Sequence, residues 1–164
     1  IGCTFVQCFL FGVFFHFHDA LPKGEQYVKT EIPGSISTKN MYTTVDKKEE
    51  LEALGGYLTQ NHLTEKKVLL YGEIPAISYI FDMEPAVYTT WADLRSNTLE
   101  RLQADLDAIT TDYPVVIVTD AIGKELSGNT SYVDEKLDAI AQFLSRGNYQ
   151  CGYAQKGYYV YTSQ

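Results

Sequence analysis

The side chains best suited to chemistry in this 164-residue chain gather in two short stretches, each behind an apolar run. The first is Tyr71-Gly72-Glu73-Ile74-Pro75, following Val68-Leu-Leu-Tyr71, and the second is Thr119-Asp120, following Pro114-Val-Val-Ile-Val118. Short continuous apolar runs read as strands buried on both faces. In open α/β sheets, ligands settle beyond the carboxyl ends of such strands. Gly72 permits a tight turn and close backbone approach, and Pro75 limits the turn's conformations. Glu73 can accept hydrogen bonds from hydroxyl groups. Tyr79, Tyr88, Trp91 and Asp93 follow closely enough to line the same crevice. Rings that stack on apolar C–H faces, beside acids that bond hydroxyls, are what a saccharide site requires. The candidate substrate-binding residues are therefore Tyr71, Gly72, Glu73, Tyr79, Trp91, Asp93 and Asp120. A scaffold role fits the same residues: Tyr71 would finish a core strand, and Trp91 would anchor the next helix against the sheet.

Signatures of catalysis are missing. No G-x-G-x-x-G follows a strand, and neither a Walker loop nor a G-x-S-x-G elbow occurs. The three histidines are His16, His18 and His62, which supplies a zinc site or His-centred triad poorly. No catalytic residue, metal or cofactor is assigned. Glu73, Asp93 and Asp120 could still furnish the carboxylate pair of glycoside hydrolysis, so a small hydrolase using Glu73 and Asp120 stays open. A formal charge of −8 argues against a nucleic-acid partner, because phosphate neutralisation needs a basic face. Cys3 and Cys8 lie in the apolar N-terminal segment and Cys151 stands alone after it, so residues 19–164 must be held by packing without a disulfide. Asn129-Thr-Ser131 has the form of a glycosylation acceptor but is too short a pattern to weigh.

The elements that must position these groups follow from periodicity. Tyr27–Ile32 alternates as a half-buried strand should. Asp46-Lys-Lys-Glu49 has capping-box form and opens a helix with Leu51, Leu54 and Leu58 on one face. After the strand Val68–Tyr71 come a short helix near Ala76–Phe81 and a brief strand around Ala86–Tyr88. Leu94, Leu99, Leu102, Leu106 and Ile109 then make the clearest helical stripe, with Leu102 and Leu106 expected in the core. Val133, Leu137, Ile140, Ala141 and Leu144 form the last stripe, with Gly147 as its stop. Tyr149–Ala154 and Tyr158–Thr162 read as a hairpin over Gln155-Lys156-Gly157. The expected class is α/β: a small Rossmann-like layered sheet with a mainly parallel centre and a C-terminal β-hairpin.

Residues 1–18 are of a different kind. They hold six of the eight phenylalanines and no charged group apart from His16 and His18. As a helix they would reach about 27 Å, close to the ~30 Å hydrocarbon thickness of a bilayer. The end of a transmembrane helix in a longer polypeptide and a buried core element both fit. A signal peptide fits poorly, lacking a basic start and small residues before a cleavage site. On the membrane reading, residues 19–164 form a soluble domain. Only Lys23 and Lys29 lie in the flank that follows, so that domain is expected on the extracytoplasmic side.

The order of these features resembles the C-terminal extracytoplasmic domain of multi-spanning bacterial glycosyltransferases of the polyprenol-phosphate-sugar type. That family includes the dolichyl-phosphate-mannose protein mannosyltransferases. The resembling stretches are Phe15-His-Phe-His-Asp19, Ile32-Pro-Gly-Ser-Ile-Ser-Thr38, Val68-Leu-Leu-Tyr-Gly-Glu-Ile-Pro75, Tyr88-Thr-Thr-Trp91 and Pro114-Val-Val-Ile-Val118. The resemblance favours the membrane reading of residues 1–18. It implies a cell-membrane location, a lipid-linked sugar donor and an envelope glycan or glycoprotein acceptor. In such enzymes the catalytic acid sits on an early loop outside residues 1–164, so no catalytic residue carries over. What remains for this domain is acceptor recognition, shielding of the active site, or assembly. A membrane-tethered carbohydrate-binding or protein-interaction module without catalysis is the alternative.

Overall fold

The computed structural model describes residues 28–30, 35, 38, 41–128, 132 and 134–164. The apolar segment 1–18, with its expected transmembrane helix, lies outside the described residues. Among the described residues, no helix is long and apolar enough to cross a membrane.

Two short strands, β1 (Val28–Thr30) and β2 (Met41–Thr43), pair antiparallel as a small separate sheet, realising the first predicted strand. Helix α1 (Val45–Gln60) starts earlier than the capping-box pattern suggests. Thr44 is its cap, with Oγ1 accepting the Lys47 N–H at 3.3 Å, while Asp46 sits inside the first turn, where its charge suits the helix dipole. Leu51, Leu54 and Leu58 are buried as their spacing requires.

The main sheet contains β3 (Val68–Tyr71), β4 (Val115–Thr119), β5 (Tyr149–Gln155) and β6 (Tyr158–Ser163), in the order β3-β4-β6-β5. Only β3 and β4 pair in parallel; β4–β6 and β6–β5 are antiparallel. The fold is mixed α/β, and the mainly parallel centre gives way to a mostly antiparallel sheet. The cause is the hairpin: its second strand inserts between β4 and β5 instead of staying at the edge. Lys156 (φ 49°) and Gly157 (φ 79°) form the two-residue turn whose positive φ values match strand twist.

Strand alternation divides the core. Val68, Leu70, Val115 and Ile117 face α1 and the short α2 (Ala76–Ile80), together with Ile77 and Ile80. Leu69, Tyr71, Val116 and Val118 face the opposite way, toward α3 (Leu99–Ala108) and α5 (Glu135–Arg146). This two-sided burial explains why β4 and the edge strand β3 both read as unbroken apolar runs.

Three expected elements differ. The strand near Ala86–Tyr88 reduces to one bridge, Val68 to Pro85, because Pro85 has no N–H to extend a ladder and the Tyr88 amide is taken by Asp105 at 3.0 Å. The helix read from Leu94 begins at Leu99, capped by Thr98, whose Oγ1 accepts the Arg101 N–H. Leu94 remains in the preceding loop and is 37% exposed, whereas Leu102 and Leu106 are buried as expected. Finally, β4 runs straight into a helix absent from the sequence reading, α4 (Asp120–Gly128). Its Ile122 and Leu126, four residues apart, are half-buried against the core that faces α3 and α5. Gly123 is its only buried residue, and a Cβ there would collide with the Tyr159 ring.

Candidate functional site

Because β3 and β4 are parallel and in register from Val68–Val115 to Tyr71–Val118, their carboxyl ends fall on one edge of the sheet. The two ends then diverge. After β3, Gly72 adopts φ +107° and Glu73 φ +60°. A Cβ on Gly72 would lie 2.5 Å from Thr119 Oγ1 and 3.3 Å from an Ile122 side-chain carbon. Glycine is therefore required twice over, by conformation and by the closeness of the neighbouring strand end.

The Glu73 N–H donates to Asp93 Oδ2 at 2.7 Å, joining the turn to the long loop that precedes α3. The Glu73 side chain is exposed and engages no hydrogen bond or ion pair with another described residue. Among the described residues, five other non-glycine residues have positive φ: His62, Asp82, Asp112, Asn148 and Lys156. His62, Asp82 and Asn148 each follow the cap residue of a helix, the usual place for a left-handed residue. Lys156 belongs to the hairpin turn, and Asp112 is an Asp, a type that tolerates the conformation. Glu73 has none of these reasons.

Tyr71 behaves as scaffold. It is 2% exposed, and its hydroxyl donates to Asp134 Oδ2 at 2.9 Å. Asp134 is also the cap of α5, its Oδ1 accepting the Lys136 N–H at 2.9 Å. One carboxylate thus ties the end of β3 to the start of α5. Burial first, then the bonded Asp134 carboxylate, with Asp93 and Glu125 adding, pushes the Tyr71 phenol well above its usual range. It stays protonated and serves as a donor. Asp134 is not among the expected site residues; placed three residues before Leu137, it has the form of a helix cap, which is the one signal for it in the sequence.

The aromatic residues of the loop are surface groups. Tyr79 is 67% exposed on α2, and Trp91 is 37% exposed. Tyr88, 71% exposed, stacks under the Arg101 guanidinium at 3.4 Å from its centroid. With Leu94, these make four of the six exposed large hydrophobics among the described residues, all between positions 79 and 94. Trp91 does not begin a helix, since α3 starts eight residues later; its amide N–H instead donates to Thr89 Oγ1.

Asp120 belongs to the other strand end and is committed locally. Its carboxylate pairs with Lys124 at 2.5 Å one turn along α4, and its N–H donates to the Gly157 carbonyl at 2.9 Å. The structure thus links Tyr71, Gly72, Glu73 and Asp93 through direct neighbours and bonds. It sets Tyr79 and Trp91 on the adjoining segments and Asp120 in a helix start. A separate concavity of about 300 Å³ lies between α3 and α5, lined by residues including Gln103, Phe143 and Arg146 and by none of the seven expected residues. Among the described residues, no group of three or more His, Cys, Asp or Glu could hold a metal ion.

Comparison with known proteins finds no matching family model, no matching curated protein and no matching solved structure.

Proposed function

We propose that this domain binds a saccharide at the turn ending β3. In that role it would serve as the accessory extracytoplasmic domain of a membrane glycosyltransferase, which moves a sugar from a lipid-linked donor to a cell-envelope acceptor. The observation that carries the binding reading is Glu73. An L residue in the left-handed region costs roughly 1–2 kcal/mol, and its side chain returns no described bond to offset that. The Glu73 N–H is used, by Asp93, but the carboxylate is not, and strained residues concentrate at ligand-binding positions. A free carboxylate beside a loop rich in exposed rings matches the hydroxyls and apolar faces of a sugar. The membrane and transferase parts of the reading rest on the apolar residues 1–18 and on the arrangement of short motifs along the chain.

Trp91, the only tryptophan, reports on the site directly. Titration with envelope saccharides is expected to shift its emission, and Trp91→Ala, read by calorimetry because it removes the only tryptophan, to weaken binding while leaving the unfolding midpoint in place. No emission change across a panel of such saccharides would overturn the binding reading. For the transferase setting, the full-length gene decides: many upstream spans with an acidic first loop agree with it, and a single span contradicts it.

A further inference from the structure

We infer that Asp93 is a positioning residue, whose carboxylate locks the strained turn after β3 onto the Trp91-bearing loop so that both meet a ligand as one unit. This rests on the saccharide-binding reading above and assigns Asp93 a part in it that does not require contact with the sugar. The Glu73 N–H is the only described link by hydrogen bond between the turn and this loop, and it ends on Asp93 Oδ2 at 2.7 Å. A short bond from an amide to an ionised acceptor is among the stronger hydrogen bonds available to a backbone.

The loop it reaches is already held elsewhere. Lys136 Nζ donates to the Leu94 carbonyl at 2.8 Å, and Asn97 Nδ2 donates to the Ala92 carbonyl at 2.9 Å. Ala92, between Trp91 and Asp93, is fully buried in the core facing α3 and α5. The Asp93 carboxylate therefore projects from a fixed base, and what it fixes in turn is the left-handed Gly72–Glu73 pair. Without it, the disfavoured Glu73 conformation and the flexible glycine before it lose this hydrogen-bonded tether, and ordering them would fall on the ligand.

Substitution separates positioning from direct contact. An Asn at 93 keeps an oxygen acceptor for the Glu73 N–H but loses the charge; an Ala keeps neither. Asp93→Ala is expected to weaken saccharide binding, read by Trp91 emission, by roughly tenfold or more. Asp93→Asn is expected to restore most of that loss. Amide exchange at Glu73, followed by NMR without ligand, should be slow in the wild type and in Asp93→Asn and fast in Asp93→Ala. Equal loss in both variants would overturn positioning in favour of a charged contact with the ligand. Wild-type affinity in Asp93→Ala, or unchanged Glu73 exchange, would overturn any role for Asp93. A wild-type protein silent to every saccharide would remove the ligand reading itself and this role with it, an outcome distinct from the other two.

Discussion

The carboxyl ends of β3 and β4 lie side by side on one sheet edge, yet they are built on opposite plans. At the end of β4 the chain passes without a break into α4, and Asp120 is used twice, by Lys124 and by the hairpin turn. At the end of β3 the chain instead makes a left-handed excursion over Gly72 and Glu73, held from outside by Asp93, with the Glu73 carboxylate left unbonded among the described residues. The first end commits its polar groups to partners within the fold, one of them through an exposed pair. The second presents a polar group outward at a conformational cost. Strand-end position alone therefore does not mark a ligand site; the feature that separates the two ends is strain combined with an unused polar group.

Substitutions at the two ends can break or sharpen this contrast. Gly72→Ala should have the largest effect, on the order of 2–4 kcal/mol of lost stability. It combines a disfavoured φ with a Cβ pressed against Thr119. A urea midpoint close to wild type would mean that the turn relaxes at little cost and is not strained. Tyr71→Phe should cost about 1–2 kcal/mol, because it removes the hydroxyl bond to the Asp134 carboxylate without opening a cavity. If it also abolished saccharide binding at an unchanged midpoint, Tyr71 would belong to the site rather than to the scaffold. Asp120→Ala should do least. Its pair with Lys124 is an exposed i,i+4 contact, so both the midpoint and the Trp91 response to saccharide should stay near wild type. A binding defect there would merge the two ends into one site.

Much of the framework was legible because burial on both faces leaves a plain trace. Val68–Tyr71 and Val115–Val118 read plainly as strands buried on both faces, and the leucine spacing of α1 and α3 located both helices. The positions that misled were decided by groups distant in sequence. The direction of β6 beside β4 depends on pairing Val116 with Tyr161, forty-five residues away, and no local pattern encodes it. Helix α4 does carry Ile122 and Leu126 at helical spacing, but it is short and follows β4 without a turn or cap residue to mark its start. At the candidate site, Gly72 announced its turn. That Tyr71 points inward to Asp134 while the Glu73 carboxylate stays unbonded among the described residues follows from the strand's alternation meeting the start of α5, which only the assembled fold displays.

On the proposed saccharide-binding reading, Glu73 is kept in a strained conformation for its carboxylate. Asn adopts the left-handed region more readily than Glu and carries no charge. The most direct test is a saccharide titration of Trp91 emission in Glu73→Asn, with its urea midpoint measured on the same sample. The expected result is loss of the emission response in a protein at least as stable as wild type, by up to about 1 kcal/mol. A retained response, or a response lost together with a lowered midpoint, would show Glu73 to be a part of the scaffold and contradict the claim.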